Sequence, residues 1–296
     1  MLNGGDALSV RLGDGRTLEV LTAGPVDGIP LVFHIGTPAG AAIYPPLVDA
    51  ARARGFRMVH YSRPGYGLST AQPGRSVADT ARDVAAVLEA LGADRFVTIG
   101  FSGGGPHGLA CAALLPDRCL AAASVSGLAP HGVPDLDWFS GMTEDGREVG
   151  SLAIEGGPGL TLRLEKMAPE IAAMLTQPLD AAALSDPAVA DIAAFKTFLA
   201  TSFRRALRGG VQGWRDDELA FTRSWGFDPA VIACPLAVWH GEKDQAVPPQ
   251  HGHWLAAHIP NARAHFDPEG GHGALLRVHL REIVDELADL ADAHSG

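Results

Sequence analysis

The sequence predicts an α/β fold with a mainly parallel, doubly wound sheet that is interrupted by a helical insertion. Strand and helix signals alternate over roughly the first 130 residues, and the alternation resumes near residue 229. The stretch between them has helix-like segments but no strong strand signal. Strands separated by helices are typical of parallel sheets with right-handed crossovers. We therefore predict a core formed by residues 1–128 and 229–296 and an insertion over 129–228.

The first half of the predicted core begins with a hairpin. Gly13-Asp14-Gly15 is a turn signal between two short strands. The continuous apolar run 31–35 fits a strand that is covered on both faces, and the apolar residues from Val77 to Leu91 recur at helical spacing. The predicted strands cover 8–12, 18–21, 31–35, 56–61, 95–99 and 120–126, and the predicted helices cover 44–54, 76–91 and 106–115.

The second half contains the insertion and the rest of the core. Its predicted helices cover 138–153, 160–175, 187–207, 216–225, 249–258 and 273–291, and its predicted strands cover 236–240 and 262–266. The insertion is rich in large apolar side chains, which favour either a pocket wall or simple packing on the core. We name Trp138 and Met142 as candidate substrate-binding residues.

A pentapeptide, Gly100-Phe101-Ser102-Gly103-Gly104, lies between a predicted strand and a predicted helix. Glycine two residues before and two residues after a serine in this context fits a nucleophile elbow, in which a sharp turn exposes the serine hydroxyl. The helix start behind it offers N–H groups to a developing oxyanion. The overlapping run 103–108 also matches G-x-G-x-x-G, but the next strand ends without the acid that a dinucleotide site needs.

A serine nucleophile needs a base and an orienting acid. Asp244 follows a buried strand, and His272 lies among glycines just after the last strand, so the order Ser102, Asp244, His272 matches a serine-acid-histidine triad. Glu242 is the rival acid and His107 a weak rival base.

The oxyanion would need two N–H donors. We expect Gly103, directly after the nucleophile, to supply one, and Thr37, in the loop after the 31–35 strand, to supply the other. His251 and His253 could bind a metal, but no further ligand has suitable spacing, so we expect neither a metal nor a cofactor.

These motifs resemble the α/β-hydrolase fold superfamily, in the branch with a helical cap. The segment from His34 to Pro38 is similar to the His-Gly-x-Pro oxyanion loop of that family, except that Ile35 separates the histidine from the glycine. The segment from Tyr61 to Ser69 is similar to its Asp-x-Pro-Gly-x-Gly-x-Ser loop, with Ser62 in place of the aspartate. The resemblance covers about residues 8–128 and 229–291 and implies a substrate bound between sheet and cap.

Composition narrows the choice of partner and compartment. A net charge of −11 argues against nucleic acid and anionic membrane surfaces as partners. The N-terminal residues 1–6 have no basic region, no apolar run is long enough to span a membrane, and none of the three cysteines requires a disulfide. We expect a cytoplasmic protein with a small-molecule substrate, with buried Cys111 and Cys119 and an oligomeric state left open.

The predicted reaction is hydrolysis of an ester-like bond through an acyl-enzyme. Within the resembling family, a serine nucleophile argues against dehalogenase and epoxide hydrolase chemistry, which use an aspartate there. Lactonase, carbon–carbon hydrolase, aminopeptidase, cofactor-free haloperoxidase, acyltransferase and a slow-turnover receptor stay open, since fold alone does not fix the reaction. For an aminopeptidase, Glu144, Asp145 and Glu148 are carboxylates that could meet a substrate amine.

Overall fold

An eight-stranded sheet forms the centre of the protein, with strand order β1-β2-β4-β3-β5-β6-β7-β8. The structure is a computed structural model that describes residues 6–178 and 187–295. The strands are β1 (Asp6–Arg11), β2 (Thr17–Ala23), β3 (Ile29–His34), β4 (Phe56–Tyr61), β5 (Phe96–Phe101), β6 (Cys119–Val125), β7 (Leu236–Gly241) and β8 (Ala262–Asp267).

The first two strands pair antiparallel around the predicted turn, and β2 pairs antiparallel with β4. Every pairing from β4 to β8 is parallel. The central strands β5 and β6 are buried along their whole length, which explains why they appear in the sequence as continuous apolar or small-residue runs. The mainly parallel α/β fold is therefore confirmed.

Helices cover both faces of the sheet. They are α1 (Pro45–Ala53), α2 (Asp79–Ala90), α3 (Gly105–Leu114), α4 (Glu144–Glu155), α5 (Pro158–Thr176), α6 (Pro187–Ala206), α7 (Gln212–Phe221), α8 (Pro249–His258), α9 (His272–Val278) and α10 (Leu280–Ser295). One core cluster joins the sheet to α2, α3 and α8, and a second joins it to α1 and α10. Two cores on opposite faces make the sheet doubly wound, as predicted.

Four helices, α4 to α7, lie between β6 and β7, and a third apolar cluster joins α4, α5 and α7 to Tyr66. No strand occurs between β6 and β7 in the described part of the chain. The division into a core and a cap over 129–228 stays a prediction. Residues 1–5, where we expected no secretory signal, lie outside the described ranges.

Three predicted helices were wrong in their limits. The helix expected over 138–153 begins only at Glu144, because the Thr143 hydroxyl caps it by accepting the Gly146 N–H at 3.2 Å, while 138–140 form a turn. The helix expected over 216–225 instead spans 212–221. Its predicted last residue, Trp225, lies in a loop and accepts the Ala78 N–H at 2.9 Å.

The third error concerns the C-terminal helix, which we expected to be continuous over 273–291. It is divided into α9 and α10 at His279, whose ψ of 13° is not helical. The imidazole of His279 lies 3.1 Å from an Asp267 oxygen and 2.8 Å from a Glu282 oxygen. The contact with Asp267, at the end of β8, depends on the tertiary fold, so helical periodicity could not reveal the break.

The three cysteines are buried and free, in agreement with the expectation for Cys111 and Cys119. Within the described ranges, none of the helices combines the length and apolarity that crossing a bilayer requires.

Candidate active site

Ser102 occupies a sharp turn between β5 and α3, with a φ of +55° that only a constrained backbone holds in a non-glycine residue. The flanking glycines are needed because the backbone segments approach closely. A Cβ on Gly104 would lie 1.9 Å from the His34 carbonyl oxygen, and one on Gly100 would lie 2.5 Å from the Gly104 oxygen. These contacts agree with the reason that the sequence suggested for glycine at both positions.

Three side chains that are far apart in the sequence form one hydrogen-bonded line. The Ser102 Oγ lies 2.9 Å from His272 Nε2, and His272 Nδ1 lies 2.7 Å from an Asp244 carboxylate oxygen. Ser102 follows β5, Asp244 follows β7, and His272 begins α9 after β8, so all three lie at the carboxyl ends of parallel strands. The structure thus brings together the three residues that the sequence singled out, in the geometry of a nucleophile, a base and an orienting acid.

Asp244 is buried, and its surroundings keep it charged. Its second oxygen accepts the N–H groups of Ala246 and Val247, both at 2.9 Å. Burial raises the pKa of the Asp244 carboxyl, but the hydrogen bond to His272 and the backbone donors outweigh it, so the pKa is lower than usual. A charged carboxylate at this place fixes the tautomer of His272 with Nε2 free to accept the serine proton.

The rival residues are engaged elsewhere. Glu242 lies 3.2 Å from the partly exposed His253, while the buried His107 contacts the Thr80 hydroxyl at 2.7 Å. His251 and His253 are not part of a metal-ligand cluster, and no group of three or more such ligands occurs in the described residues.

The two candidate oxyanion donors lie next to each other and next to the serine. A Cβ on Gly103 would lie 2.6 Å from the Thr37 hydroxyl oxygen, and one on Gly36 would lie 3.1 Å from the Ser102 Cβ. Among the described residues, no acceptor takes the Thr37 N–H, and Gly103 lies in the helical turn after Ser102, where N–H groups lack intrahelical partners. Both N–H groups are therefore available to a bound oxygen.

A buried ion pair that sequence reasoning missed fixes the Thr37 loop. The Arg63 guanidinium donates to the carbonyl oxygens of Ile35 at 2.7 Å and Gly36 at 3.0 Å, and to the Thr37 hydroxyl at 2.9 Å. It also donates to Asp217, on α7, at 2.7 Å and 3.1 Å. The Thr37 hydroxyl in turn donates to Asp217 at 2.8 Å. Arg63 and Asp217 thus connect the loop after β3 to a helix of the insertion.

Asp217 has further buried partners. Tyr66 donates to it at 2.9 Å and Arg75 at 2.5 Å, and the side chain is fully excluded from solvent. Burial raises the pKa of the Asp217 carboxyl, but the Arg63 and Arg75 guanidinium groups outweigh it and hold the pKa well below its usual value. The sequence did carry a signal, because Asp217 shares the apolar face of its helix with Gly213 and Phe221. A buried acid on such a face requires a buried cation.

The departure at Ser62 from the family pattern has a structural counterpart. The Ser62 hydroxyl donates to Glu19 on β2 at 2.7 Å and accepts the Ala41 N–H at 2.9 Å. Glu19 also accepts from Arg205 on α6 at 3.0 Å. A carboxylate from the neighbouring strand β2 is therefore hydrogen-bonded to the serine that stands in place of the family's aspartate.

A cavity of about 450 Å³ opens in front of Ser102. Its lining is mostly apolar and includes both candidate substrate-binding residues, Trp138 and Met142, together with His272 and Thr37. Other lining residues come from the helices of the insertion: Val149, Met167, Ile171, Phe195, Leu199, Phe203, Trp214 and Phe221. The volume suits a small or medium-sized ligand.

Two carboxylates also line the cavity. Asp145 is paired with Arg163 at 2.6 Å, and the same arginine holds Glu148 at 2.6 Å. Glu218, on α7, was not considered from the sequence; its Oε1 accepts the Trp214 indole N–H at 2.9 Å. Burial raises the pKa of Glu218 to about 7, against the effect of the Trp214 hydrogen bond. Of the carboxylates suggested for a substrate amine, Asp145 and Glu148 are thus already paired.

One cavity wall depends on a buried histidine. His251 Nδ1 accepts the Ala129 N–H at 3.1 Å, and Nε2 donates to the Trp138 carbonyl oxygen at 3.0 Å. Both nitrogens are satisfied only in the neutral ring, and burial lowers the pKa of His251 to about 4. The ring thus holds the segment that carries Trp138.

This neutral histidine makes folding sensitive to acid. Its pKa is lower in the folded than in the unfolded chain, so its contribution is complete above about pH 6.5 and declines as the pH falls towards 4. We expect it to lower the free energy of unfolding by about 1 kcal/mol between pH 6.5 and 5.5. In urea unfolding of His251→Gln, the free energy of unfolding should decline less between pH 6.5 and 5.5, by that amount. The control His253→Gln changes an exposed neighbour and should show the wild-type decline. An unchanged decline in His251→Gln would refute the assignment.

Comparison with known proteins supports the fold. The family model of the alpha/beta hydrolase fold matches residues 29–277. The bifunctional esterase/perhydrolase DCH of Acinetobacter calcoaceticus is 28% identical over 250 residues, which cover 79% of this chain and 81% of that protein. The non-heme chloroperoxidase of Streptomyces lividans is 36% identical over 125 residues, 41% of this chain and 45% of that protein, so this match spans less than half of its length.

Solved structures show the same fold. An esterase of Exiguobacterium antarcticum superposes with a TM-score of 0.70 at 19% identity, covering 97% of this chain and 100% of that one. The bromoperoxidase of Bacillus anthracis also has a TM-score of 0.70, at 20% identity, with the same coverage. Because the family model spans most of the sequence, the chain belongs to the α/β-hydrolase fold family.

Proposed function

We propose that the protein is a serine hydrolase that cleaves an ester-like bond of a small or medium-sized apolar substrate through an acyl-enzyme. The observation that carries this proposal is the hydrogen-bonded line from Asp244 through His272 to Ser102, which ends at an apolar cavity. A nucleophile, a base and an acid in this arrangement are the minimum that acyl transfer to serine requires.

In the first half of the reaction, His272 Nε2 removes the Ser102 proton as Oγ attacks the substrate carbonyl. The Asp244 carboxylate stabilises the imidazolium that forms. The carbonyl oxygen becomes an oxyanion that accepts hydrogen bonds from the N–H groups of Gly103 and Thr37. Donors that are held in position before the reaction stabilise this charge without reorganisation. His272 then gives its proton to the leaving oxygen, and the acyl group stays on Ser102.

The second half repeats these roles with water. His272 removes a proton from a water molecule that attacks the acyl-enzyme carbonyl, and the same two N–H groups hold the second oxyanion. Collapse of this intermediate releases the carboxylic acid and returns the proton to Ser102.

Residues 129–228 act in this proposal as a cap over the site. The cap supplies Trp138, Met142 and most of the apolar lining, while residues 1–128 and 229–296 supply the reacting groups. Since the lining favours contact with hydrocarbon, the acyl group is its expected occupant. A named esterase among the relatives supports this choice of bond.

A covalent probe tests the proposal. A fluorophosphonate should label the protein once per chain, and mass spectrometry should find the label on Ser102. Of the serines in the described ranges, only Ser102 has its hydroxyl hydrogen-bonded to a histidine ring. Para-nitrophenyl esters of increasing acyl length should then be hydrolysed with steady turnover. A single stoichiometric burst without turnover would favour a receptor, and label on another serine would contradict the proposal.

A further inference from the structure

The α7 wall of the cavity carries a carboxyl group on the same helix face as a ring that approaches the nucleophile turn. Trp214, Glu218 and Phe221 all line the cavity, and their spacing of four and three residues places them on one helix face. The Phe221 ring approaches the nucleophile turn, since its Cζ would lie 3.1 Å from a Cβ on Gly103. Glu218 thus lies about one helical turn, roughly 5 Å along the axis, from the residue that touches this turn.

The Glu218 carboxyl is only partly satisfied by the protein. Trp214 donates one hydrogen bond to Oε1, and no described side chain donates to Oε2. No lysine or arginine is found among the described residues that line the cavity. Asp145, the other lining carboxylate, already has Arg163 as its partner. A negative group with spare acceptor capacity in an otherwise apolar cavity favours a positive group on the ligand.

Aromatic rings next to this carboxyl strengthen the argument. Trp214 packs edge-on against Phe203, with ring centroids 6.4 Å apart, and both rings line the cavity. Aromatic faces attract cations, and the attraction grows where water is excluded. The net charge of −11 adds a general attraction for cations.

We propose that the cavity binds substrates whose acyl part carries an ammonium group, with the cation between the Glu218 carboxylate and the rings of Trp214 and Phe203. This inference rests on the proposed hydrolysis at Ser102 and refines its substrate class, from an acyl group that is wholly apolar to one that ends in a cation. The cation is desolvated by the apolar lining, and the carboxylate and the aromatic faces compensate for the lost water. A neutral chain of the same shape gains only the apolar contacts.

The simplest alternative is that Glu218 serves only to accept the Trp214 N–H. Glutamine keeps that acceptor and the shape of the side chain but removes the charge. Glu218→Gln therefore separates the two roles. Glu155→Gln is the matched control, because it removes the same charge from an exposed position on α4 that does not line the cavity.

The test uses two para-nitrophenyl esters that differ only in charge. One has a γ-trimethylammoniobutyryl group, and the other has a tert-butyl group in place of the trimethylammonium. We expect wild type and Glu155→Gln to favour the cationic ester in kcat/KM by roughly tenfold at about pH 8, mainly through KM. Glu218→Gln should reduce this ratio to near one. An equal ratio in wild type and Glu218→Gln would overturn the proposal.

The ratio should also depend on pH. Because the pKa of Glu218 is about 7, its carboxylate form grows between about pH 6 and pH 8, and the preference for the cation should grow with it. Asp217, beside it on α7, stays charged throughout, and Asp145 stays paired with Arg163. The neutral ester serves as the reference for changes that affect the hydrolysis of both esters. A preference that is flat from pH 6 to pH 8 would contradict the role of Glu218.

Binding without turnover separates this inference from the proposed function. Butyltrimethylammonium should bind the Ser102→Ala protein, measured by calorimetry, and should bind at least fivefold more weakly when Glu218→Gln is added. If Glu218→Gln leaves the affinity for butyltrimethylammonium unchanged while the neutral ester is still hydrolysed, the cation site is refuted and the hydrolase proposal is not. Failure to hydrolyse either ester, with cation binding intact, refutes the hydrolase proposal instead.

Discussion

Replacing Ser102 with alanine is expected to lower kcat for activated esters by roughly 10⁴- to 10⁶-fold. The variant removes the Oγ that accepts the acyl group, and His272 is left without the hydroxyl that lies 2.9 Å away. The N–H groups of Gly103 and Thr37 remain and can still polarise a bound carbonyl, so a small residual rate above the uncatalysed one is expected. Steady-state hydrolysis of a para-nitrophenyl ester, with the fluorophosphonate label as a second readout, measures the loss.

The matched control for this variant is Ser151→Ala, which changes an exposed serine on α4 and should leave kcat at the wild-type value. Alanine keeps the Cβ of Ser102, and the strained φ of +55° is unchanged, so the free energy of unfolding should differ little. A Ser102→Ala protein that folds normally and keeps more than a few per cent of the wild-type kcat would mean that another group carries the acyl chain.

The backbone turn and the triad order were accessible from the sequence because both depend on short-range signals. Glycines around Ser102, an acid shortly after a buried strand at Asp244, and a histidine among glycines after the last strand at His272 mark places where a parallel sheet presents side chains at one edge. The sequence therefore predicts which residues lie near each other.

The supporting contacts could not be predicted in the same way. Arg63 and Asp217 are 154 positions apart, and the sequence contains no local signal for their pairing. The place of Glu218 in the cavity wall likewise depends on how α7 packs against the rest of the protein. Helix limits at Thr143 and His279 were set by a cap and by tertiary side-chain contacts that compete with periodicity. What was missed is therefore the part of the site built from contacts between distant segments.

Replacing Asp217 with asparagine is expected to lower both stability and turnover. The variant removes the counter-charge of two buried guanidinium groups, Arg63 and Arg75, and places an amide donor against their own donors. Breaking a buried ion pair from one side costs about 3–5 kcal/mol of unfolding free energy. Urea unfolding measures this loss. The control is Asp191→Asn, which breaks the more exposed ion pair with Arg277 and should lower the free energy of unfolding by less than about 1 kcal/mol.

Turnover should fall because Asp217 positions an oxyanion donor. Arg63 holds the carbonyl oxygens and the hydroxyl of the loop that carries the Thr37 N–H, and Asp217 holds both Arg63 and that hydroxyl. A looser loop weakens the hydrogen bond from the Thr37 N–H to the oxyanion, which forms fully only in the transition state. We therefore expect kcat to fall by roughly tenfold or more while KM changes little. If Asp217→Asn is less stable but still has the wild-type kcat when kcat is calculated for the folded fraction, that result would show that Asp217 has a purely structural role.

A milder pair of variants tests the same role without breaking the ion pair. Thr37→Val removes the hydroxyl that links the loop to Asp217 and Arg63, whereas Thr37→Ser keeps it. If this link positions the donor, Thr37→Val should lower kcat several-fold and Thr37→Ser should restore most of it, with stability changing by only about 1 kcal/mol in either protein. Equal kcat values in the two variants would instead mean that the loop keeps its position without the hydrogen bonds of the Thr37 hydroxyl to Asp217 and Arg63. The loop backbone alone would then position the Thr37 N–H.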